Sequence, residues 1–325
     1  MAARSSTGAV LTAGTRQPLL CGVELGGTKC VCVLGTPQGE IISQAPVQTG
    51  KDPDLTLRRI EELLWDWSAA HGPFDAVGVA SFGPLELRRD SLNYGRIGPT
   101  TKEGWANFDL GGFFARRFGA GVGLTTDVIG AALAEARWGA ARGLTDFAYV
   151  TVGTGVGVGL IVAGRPVLGW HHPELGHIRV QRLSGDLWPG ACRFHGDCVE
   201  GLASGPAIEA RSGVAPASVP ADSPVWDSVA HALAQLAHTL VLATAPQRIL
   251  IGGGVVSAQP QLFAAIRERL RLSLNGYLRI EEVAGGLEAY IVPPGRAALA
   301  GPLGALAVAA DAYAAAAEPA TPVSE

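Results

Sequence analysis

Two stretches of this chain set glycines between short apolar runs, at places where a strand has to fold back on itself. GVELGGTK, residues 22–29, joins the apolar run that begins at Leu19 to CVCVLG, and VGTGVGVG, residues 152–159, interrupts the run from Phe147 to Gly169. Apolar runs of this length bounded by glycine read as strands, with the glycines opening the turns of hairpins. After the first hairpin the pattern predicts a strand over IISQAPVQTG, a helix over 54–70, a strand over AVGVASFGPL and a loop over 91–109. A short helix near FFARRFG, a strand over GVGLTT ending at Asp127 and a helix over VIGAALAEARWGAARG follow. After the second hairpin come a loop over 213–224, a long helix stopped by Pro246, a strand over RILIGGGVV, a helix over QLFAAIRERLRLSL, a strand over AYIVPP and a helix near 298–316. In the 54–70 helix, Leu55, Ile60, Leu63, Leu64 and Trp67 share one face, and Asp54 is placed to cap it. Each half therefore opens on a glycine-broken hairpin and continues into mixed strands and helices. That pattern predicts two related α/β lobes around a cleft, and 325 residues suffice to bury both cores.

A net charge of -4 without a basic block lacks the electrostatic footprint of a nucleic-acid or anionic-membrane binder, which leaves small-molecule chemistry. No apolar run is read as the roughly 20 residues of a membrane span. Residues 1–18 lack the compact apolar core of a secretory signal and are expected to form a disordered tail of a cytoplasmic protein. The five cysteines do not suggest a disulfide framework, because Cys21, Cys30 and Cys32 lie in apolar runs where cysteine packs as a small hydrophobe.

GVELGGTK is not a Walker loop, since Thr28 precedes Lys29 and a strand rather than a helix follows. It is either an ordinary hairpin turn or a nest of backbone N–H groups that cradles an anion. VGTGVGVG has the wrong spacing for a dinucleotide fingerprint and also continues as strand. ILIGGGVV is a third place where a ligand can approach bare backbone. Three such sites spread over two lobes point to a nucleotide lying across the cleft. Asp127, between a strand and a helix, has two readings: an N-cap, or a general base at the cleft mouth.

Residues 171–201, HHPELGHIRVQRLSGDLWPGACRFHGDCVEG, hold four of the seven histidines and two of the five cysteines. Cys192, His195 and Cys198 form a C-x2-H-x2-C cluster of the thiolate and imidazole donors that tetrahedral zinc prefers, and the fourth ligand would come from His171, His172 or His177. A closed coordination sphere makes such a metal structural. Glu174 and Glu200 flank the cluster as either solvated charges or acceptors for sugar hydroxyls.

Taken together, these motifs resemble the ROK-type sugar kinases of the actin-like ATPase superfamily over nearly the whole chain. GVELGGTK is similar to their first phosphate loop, TTDVIGAALAE to the segment with the catalytic Asp, and VTVGTGVGVGLIVAGRPVLG to the second phosphate loop. HPELGH resembles the E-x-G-H sugar motif and ILIGGGVV the adenosine motif. GPTTKEGWANFDL and CRFHGDCVEGLASGPAI are similar to the fructokinase and mannokinase branch. The resemblance implies a two-lobed actin-like (ribonuclease H-like) fold, with residues 19–127 and 301–316 in a small lobe and 128–300 in a large one. It implies that Asp127 is the base, that Glu174, His177 and Glu200 hold the sugar, and that His177, Cys192, His195 and Cys198 ligate Zn2+. Glu24, Gly26, Gly27, Thr28 and Lys29 would face Mg2+ and ATP, with Thr154 and Gly155 from the second loop and Gly252, Gly253 and Gly254 near the adenosine. The family's usual Asn two residues after the base is Ile129 here.

The expected activity is ATP-dependent phosphorylation of a hexose at its 6-hydroxyl, with fructose first and glucose, mannose or an N-acylhexosamine as alternatives, by a homodimer. A sugar-responsive regulator is the reading from another class. About eighteen residues before the first strand are too few for a helix-turn-helix domain.

Overall fold

The computed structural model describes residues 16–119, 121–280, 282 and 285–317. Most of the expected tail, residues 1–15, lies outside them; Arg16, at its end, pairs with the Asp75 carboxylate at 2.9 Å.

Ten strands form two sheets of five among the described residues. The first contains β1 (Leu20–Leu25), β2 (Lys29–Gly35), β3 (Ile41–Gln48), β4 (Ala76–Ser81) and β5 (Val122–Thr126), in the order β3-β2-β1-β4-β5. The second contains β6 (Phe147–Val152), β7 (Val156–Val162), β8 (Arg165–Pro166), β9 (Arg248–Gly252) and β10 (Ile291–Val292), in the order β8-β7-β6-β9-β10. Strand for strand the two orders are the same, so the repeated hairpin at the start of each half does mark a repeated topology. In both sheets an antiparallel hairpin leads into parallel pairing, β1 with β4 in the first and β6 with β9 in the second.

The helices are α1 (Pro53–His71), α2 (Leu110–Phe118), α3 (Asp127–Trp138), α4 (Val199–Ala203), α5 (Gly205–Ser212), α6 (Val225–Thr244), α7 (Gly254–Ala258), α8 (Leu262–Leu274), α9 (Leu287–Tyr290) and α10 (Ala300–Ala317). α1 buries Leu57, Ile60 and Leu64, while Leu55 of the expected face is exposed. Its cap is Asp52, which accepts from Leu55 N–H at 3.1 Å, rather than Asp54. Pro53 decides this, because proline is favoured at the first helical position and so moves the cap one residue before it. ILIGGGVV is strand only to Gly252, the rest entering α7, and the expected AYIVPP strand is reduced to Ile291–Val292 because Tyr290 ends α9.

The two halves are joined by exchanged helices. α3, which leaves the first sheet, packs on β6 and β7, whereas α10, which leaves the second, packs on β1 and β4. The two helices cross where Gly130 faces Gly304, so closely that a Cβ on Gly304 would meet the Gly130 and Ala131 backbone. α10 also corrects the expectation that no apolar run approaches the length of a membrane span. Ala297–Ala317 is 21 residues long and apolar enough to cross one, yet half of it is buried inside the protein. Residues from Ala300 to Ala310 are apolar all round the helix, which is the pattern of a core helix.

Candidate functional site

Parallel pairing aligns the carboxyl ends of β1, β4 and β5, with Leu25 opposite Ser81 and Ser81 opposite Thr126. The residues that follow these ends, the 26–29 turn and Asp127, therefore emerge at one edge of the first sheet. In the second sheet Thr151 pairs with Gly252, which puts the 153–155 turn beside the glycines that end β9. Carboxyl ends of parallel strands are where α/β sheets bind ligands.

Asp127 is the first residue of α3 and not its cap. Thr126 caps the helix, its Oγ1 accepting from Ile129 N–H at 3.3 Å, while Asp127 Oδ1 accepts from Val128 N–H at 2.8 Å. The N-cap reading of Asp127 is corrected by this geometry, and the carboxylate is released from capping. Burial raises its pKa to about 6, with the Val128 amide and the Lys102 ammonium opposing the rise. Ile129 is 3% exposed, its side chain in the core.

Glu24 on β1 lies against the first turn of α10, where a Cβ on Gly301 would collide with its carboxylate. Burial and the negative charge of Asp127 lift its pKa to about 7, against the pull of Lys29. Glu174 is likewise raised to about 7 by burial, then by Asp127 and Glu200. Asp127 thus repels two carboxylates, Glu24 and Glu174, that are distant from it in sequence. Desolvated, mutually repelling acids are characteristic of functional sites.

His172 anchors the loop that carries Glu174. It is 7% exposed and its Nε2 accepts the Leu85 N–H at 3.1 Å, just after β4. Burial lowers its pKa to about 4, so the ring is neutral, with the Nδ1 proton facing Glu174 Oε1 at 3.5 Å. Neither His171 nor His172 joins the cysteines.

The cysteines gather His177 and His195 instead. Ligand atoms of His177, Cys192, His195 and Cys198 all lie within 4.8 Å of one another. Cys192 Sγ is 3.6 Å from His177 Nδ1 and 3.7 Å from His195 Nδ1, and Cys198 Sγ is 3.6 Å from His177 Nδ1. Tetrahedral zinc with Zn–S near 2.3 Å and Zn–N near 2.0–2.1 Å has S···N edges of about 3.6 Å, so the donor set fits such an ion. Burial pushes the Cys198 thiol up, and a thiolate at that depth calls for a cation beside it. Asp186 ties the loop down: its side chain, 5% exposed, lies 2.9 Å from Arg211 and 3.3 Å from Arg182, and hydrogen bonds from Arg211, the Trp188 N–H and Ser228 hold its carboxyl down at about 2 against the cost of burial.

His177 turns its other nitrogen toward Glu200, Nε2 to Oε1 at 4.0 Å. Glu200 Oε2 in turn accepts the Val156 N–H at 3.1 Å, beside Gly155, where a Cβ would stand 2.6 Å from that oxygen. One carboxylate therefore spans the metal-ligand cluster and the second glycine turn. In that turn Gly153 N–H donates to Gly155 O at 2.9 Å and Thr154 is exposed. At the end of β9, Gly253 has φ +93° and runs against the Val152 backbone, a conformation and a proximity that only glycine accommodates. Gly252 is buried and Gly254 has open space where a Cβ would be. In the first turn Thr28 and Lys29 are exposed, Gly26 closes tightly on Lys29 O, and Gly27 lies under the ammonium of Lys102.

Sequence reasoning passed over Lys102, the Thr126 cap and the His172 tether. Thr126 was findable, as a capping residue directly before a helix; the other two depend on contacts between distant segments. The family model for the ROK family matches residues 20–312. The chain is 40% identical over 291 residues to the putative fructokinase of Bacillus subtilis (strain 168), spanning 90% of this chain and 95% of that protein. It is also 40% identical over 291 residues to the fructokinase of Pediococcus pentosaceus, spanning 90% and 97% respectively. Among solved structures, the ROK hexokinase from Thermus thermophilus superposes with a TM-score of 0.71 at 28% identity, over 89% of this chain and 97% of that one.

Proposed function

Because the chain belongs to the ROK family, with its two-lobed actin-like α/β fold, we propose that it is an ATP-dependent hexose kinase that phosphorylates fructose at the 6-hydroxyl. The observation that carries this reading is the convergence of two glycine turns, a released Asp127 carboxylate and the Glu174 and Glu200 carboxylates, in a chain sharing 40% identity with two fructokinases.

Phosphoryl transfer demands alignment and charge neutralisation more than covalent help from the protein. Asp127 takes the proton of the attacking hydroxyl. Its pKa of about 6 keeps it deprotonated near neutral pH yet basic enough to accept. Glu174, His177 and Glu200 grip the sugar hydroxyls. The 26–29 turn and the Thr154–Gly155 turn cradle the phosphates, with Glu24 facing the Mg2+ that accompanies ATP and Lys29 neutralising phosphate charge, and Gly252–Gly254 line the adenosine. Zn2+ held by His177, Cys192, His195 and Cys198 would fix the sugar loop, with Glu200 supporting His177 from behind. The lobes in this reading are 19–127 with 301–316 and 128–300, supported by the packing of α10 back onto β1 and β4. It also includes a cytoplasmic homodimer.

A coupled ADP-release assay over fructose, mannose, glucose and N-acetylmannosamine tests the assignment. The expected result is the highest kcat/KM with fructose. Turnover with none of the four would refute it, and a preference for another would move the substrate within the class.

A further inference from the structure

The segment from Gly98 to Asp109 has no regular structure of more than a turn, yet it is firmly held. Trp105 within it is 1% exposed, packs edge-on against Phe82 with ring centroids 5.4 Å apart, and donates its indole N–H to Gly50 O at 2.8 Å. Lys102, three residues earlier, donates its backbone N–H to Thr100 Oγ1 at 3.3 Å, and its carbonyl accepts from Trp105 N–H at 3.2 Å. This anchoring sends the Lys102 side chain over the first glycine turn. Its ammonium occupies the space that a Cβ on Gly27 would fill, and the same ammonium is the cation that acts on Asp127. It makes no ion pair with a carboxylate among the described residues. An anchored, half-buried lysine that spans the phosphate turn and the base, without an acid of its own, has a place for a ligand's negative charge. Lys29, in contrast, is exposed at the start of β2.

We propose that Lys102 is the protein cation that contacts the transferred phosphoryl group, held between the Gly26–Gly27 turn and Asp127. The inference rests on the kinase reading and adds a residue to it. In the step, the sugar hydroxyl gives its proton to Asp127 and its oxygen bonds to the γ-phosphorus. The bond from that phosphorus to the β–γ bridging oxygen breaks, and ADP leaves with the electron pair. Lys102 keeps its protons and neutralises the oxygens of the group in flight, charge stabilisation that acts in the transition state more than in the bound substrates.

Lys102→Met in the full chain, measured with fructose and Mg-ATP, tests this. The expected result is a kcat lower by about 10²–10³-fold, the range for removal of one preorganised electrostatic contact. Fructose Kd by calorimetry should stay within about threefold, because the lost contact is to phosphoryl and not to sugar. Asp127 is faced by Glu24 from β1, Glu174 from the loop after β8, Tyr149 from β6 and Lys102. Removing the one cation leaves the others as they are, so the acid limb of kcat/KM should move to higher pH. Lys102→Arg should recover part of the lost kcat, and Lys102→Gln serves in place of the Met variant if that one does not fold. A kcat within about threefold of wild type, an unmoved acid limb, or a rise in fructose Kd that accounts for the whole loss would overturn the assignment. Inactive wild type would instead remove the kinase reading, before any variant is compared.

Discussion

Replacing Asp127 with Asn should inactivate the enzyme and stabilise it at the same time. The folded protein raises this carboxyl from 3.8 to about 6, chiefly by burial. A group whose pKa is higher folded than unfolded binds more protons in the native state, so its contribution is most favourable below the unfolded value and is lost as pH rises through the folded one. At 1.36 kcal/mol per unit the shift corresponds to about 3 kcal/mol of native-state cost at pH 7.5, and partial exposure of the side chain reduces that to about 1–2 kcal/mol. Asn is nearly isosteric, its Oδ1 can still accept the Val128 N–H, and it carries no charge to desolvate. Urea denaturation of the ligand-free protein should show the variant about 1–2 kcal/mol more stable at pH 7.5, with an unchanged slope and a gain that shrinks toward zero by pH 4. Coupled assays should show kcat lower by about 10²–10⁴-fold, with fructose binding still measurable by calorimetry. In the wild type, kcat/KM should fall below about pH 6, where the base is protonated. A variant that is less stable across the whole pH range, or one that keeps more than about a tenth of wild-type kcat, would refute the reasoning.

The metal site offers a separate test: elemental analysis should find about one Zn per chain, and Cys192→Ser should lose it. That loss should weaken fructose binding about 10–100-fold, and ATP binding less. Asp186→Asn should cost about 1–2 kcal/mol, because Arg211 would lose its carboxylate partner while Arg182 keeps Asp197. Since the Asp186 carboxyl is held down at about 2, its contribution is present above the ordinary carboxylate range and is lost as pH falls toward 2, so denaturation midpoints of variant and wild type should converge in acid. Glu135→Ala should cost about 2–4 kcal/mol by urea denaturation, since the fully buried carboxylate accepts from the Ala140, Gly295 and Arg296 N–H groups at 2.6, 2.8 and 2.7 Å and all three would lose it.

Much of the fold was legible because its information is local. Glycines between apolar runs marked both hairpins, and the hairpins marked the duplication. Cys192, His195 and Cys198 were legible for the same reason, their spacing lying within one loop, whereas the choice among His171, His172 and His177 was not. His172 is drawn away by the Leu85 N–H from the other half of the chain, and no periodicity in sequence encodes that contact. Asp54 and Asp127 illustrate a milder failure. Each stands within two residues of another able to cap, and only backbone geometry shows that Asp52 and Thr126 do so. Lys102 lay inside the GPTTKEGWANFDL resemblance, but its role gave no local signal, because its position over Gly27 is set by Trp105 and the Gly50 carbonyl.

The contacts of Glu200 bear on what the proposed metal site would do in a sugar kinase of this design. Its two oxygens face different ligands' territories, one toward His177 of the cluster and the other bonded to Val156 N–H on the second glycine turn. If fructose recruits Glu200, as the proposed function requires, the carboxylate must share or yield the Val156 bond at the moment the sugar binds. The turn meant for phosphate would then have an amide released for an incoming anion only when the acceptor is present. A flexible carboxylate would make this exchange at any time. One held on a short helix whose cap, Cys198, belongs to the proposed metal-ligand set would be constrained to a few positions. On the proposed reading the cluster would therefore add rigidity at a residue that contacts both His177 and the second glycine turn, and so would couple sugar occupancy to the ATP turn.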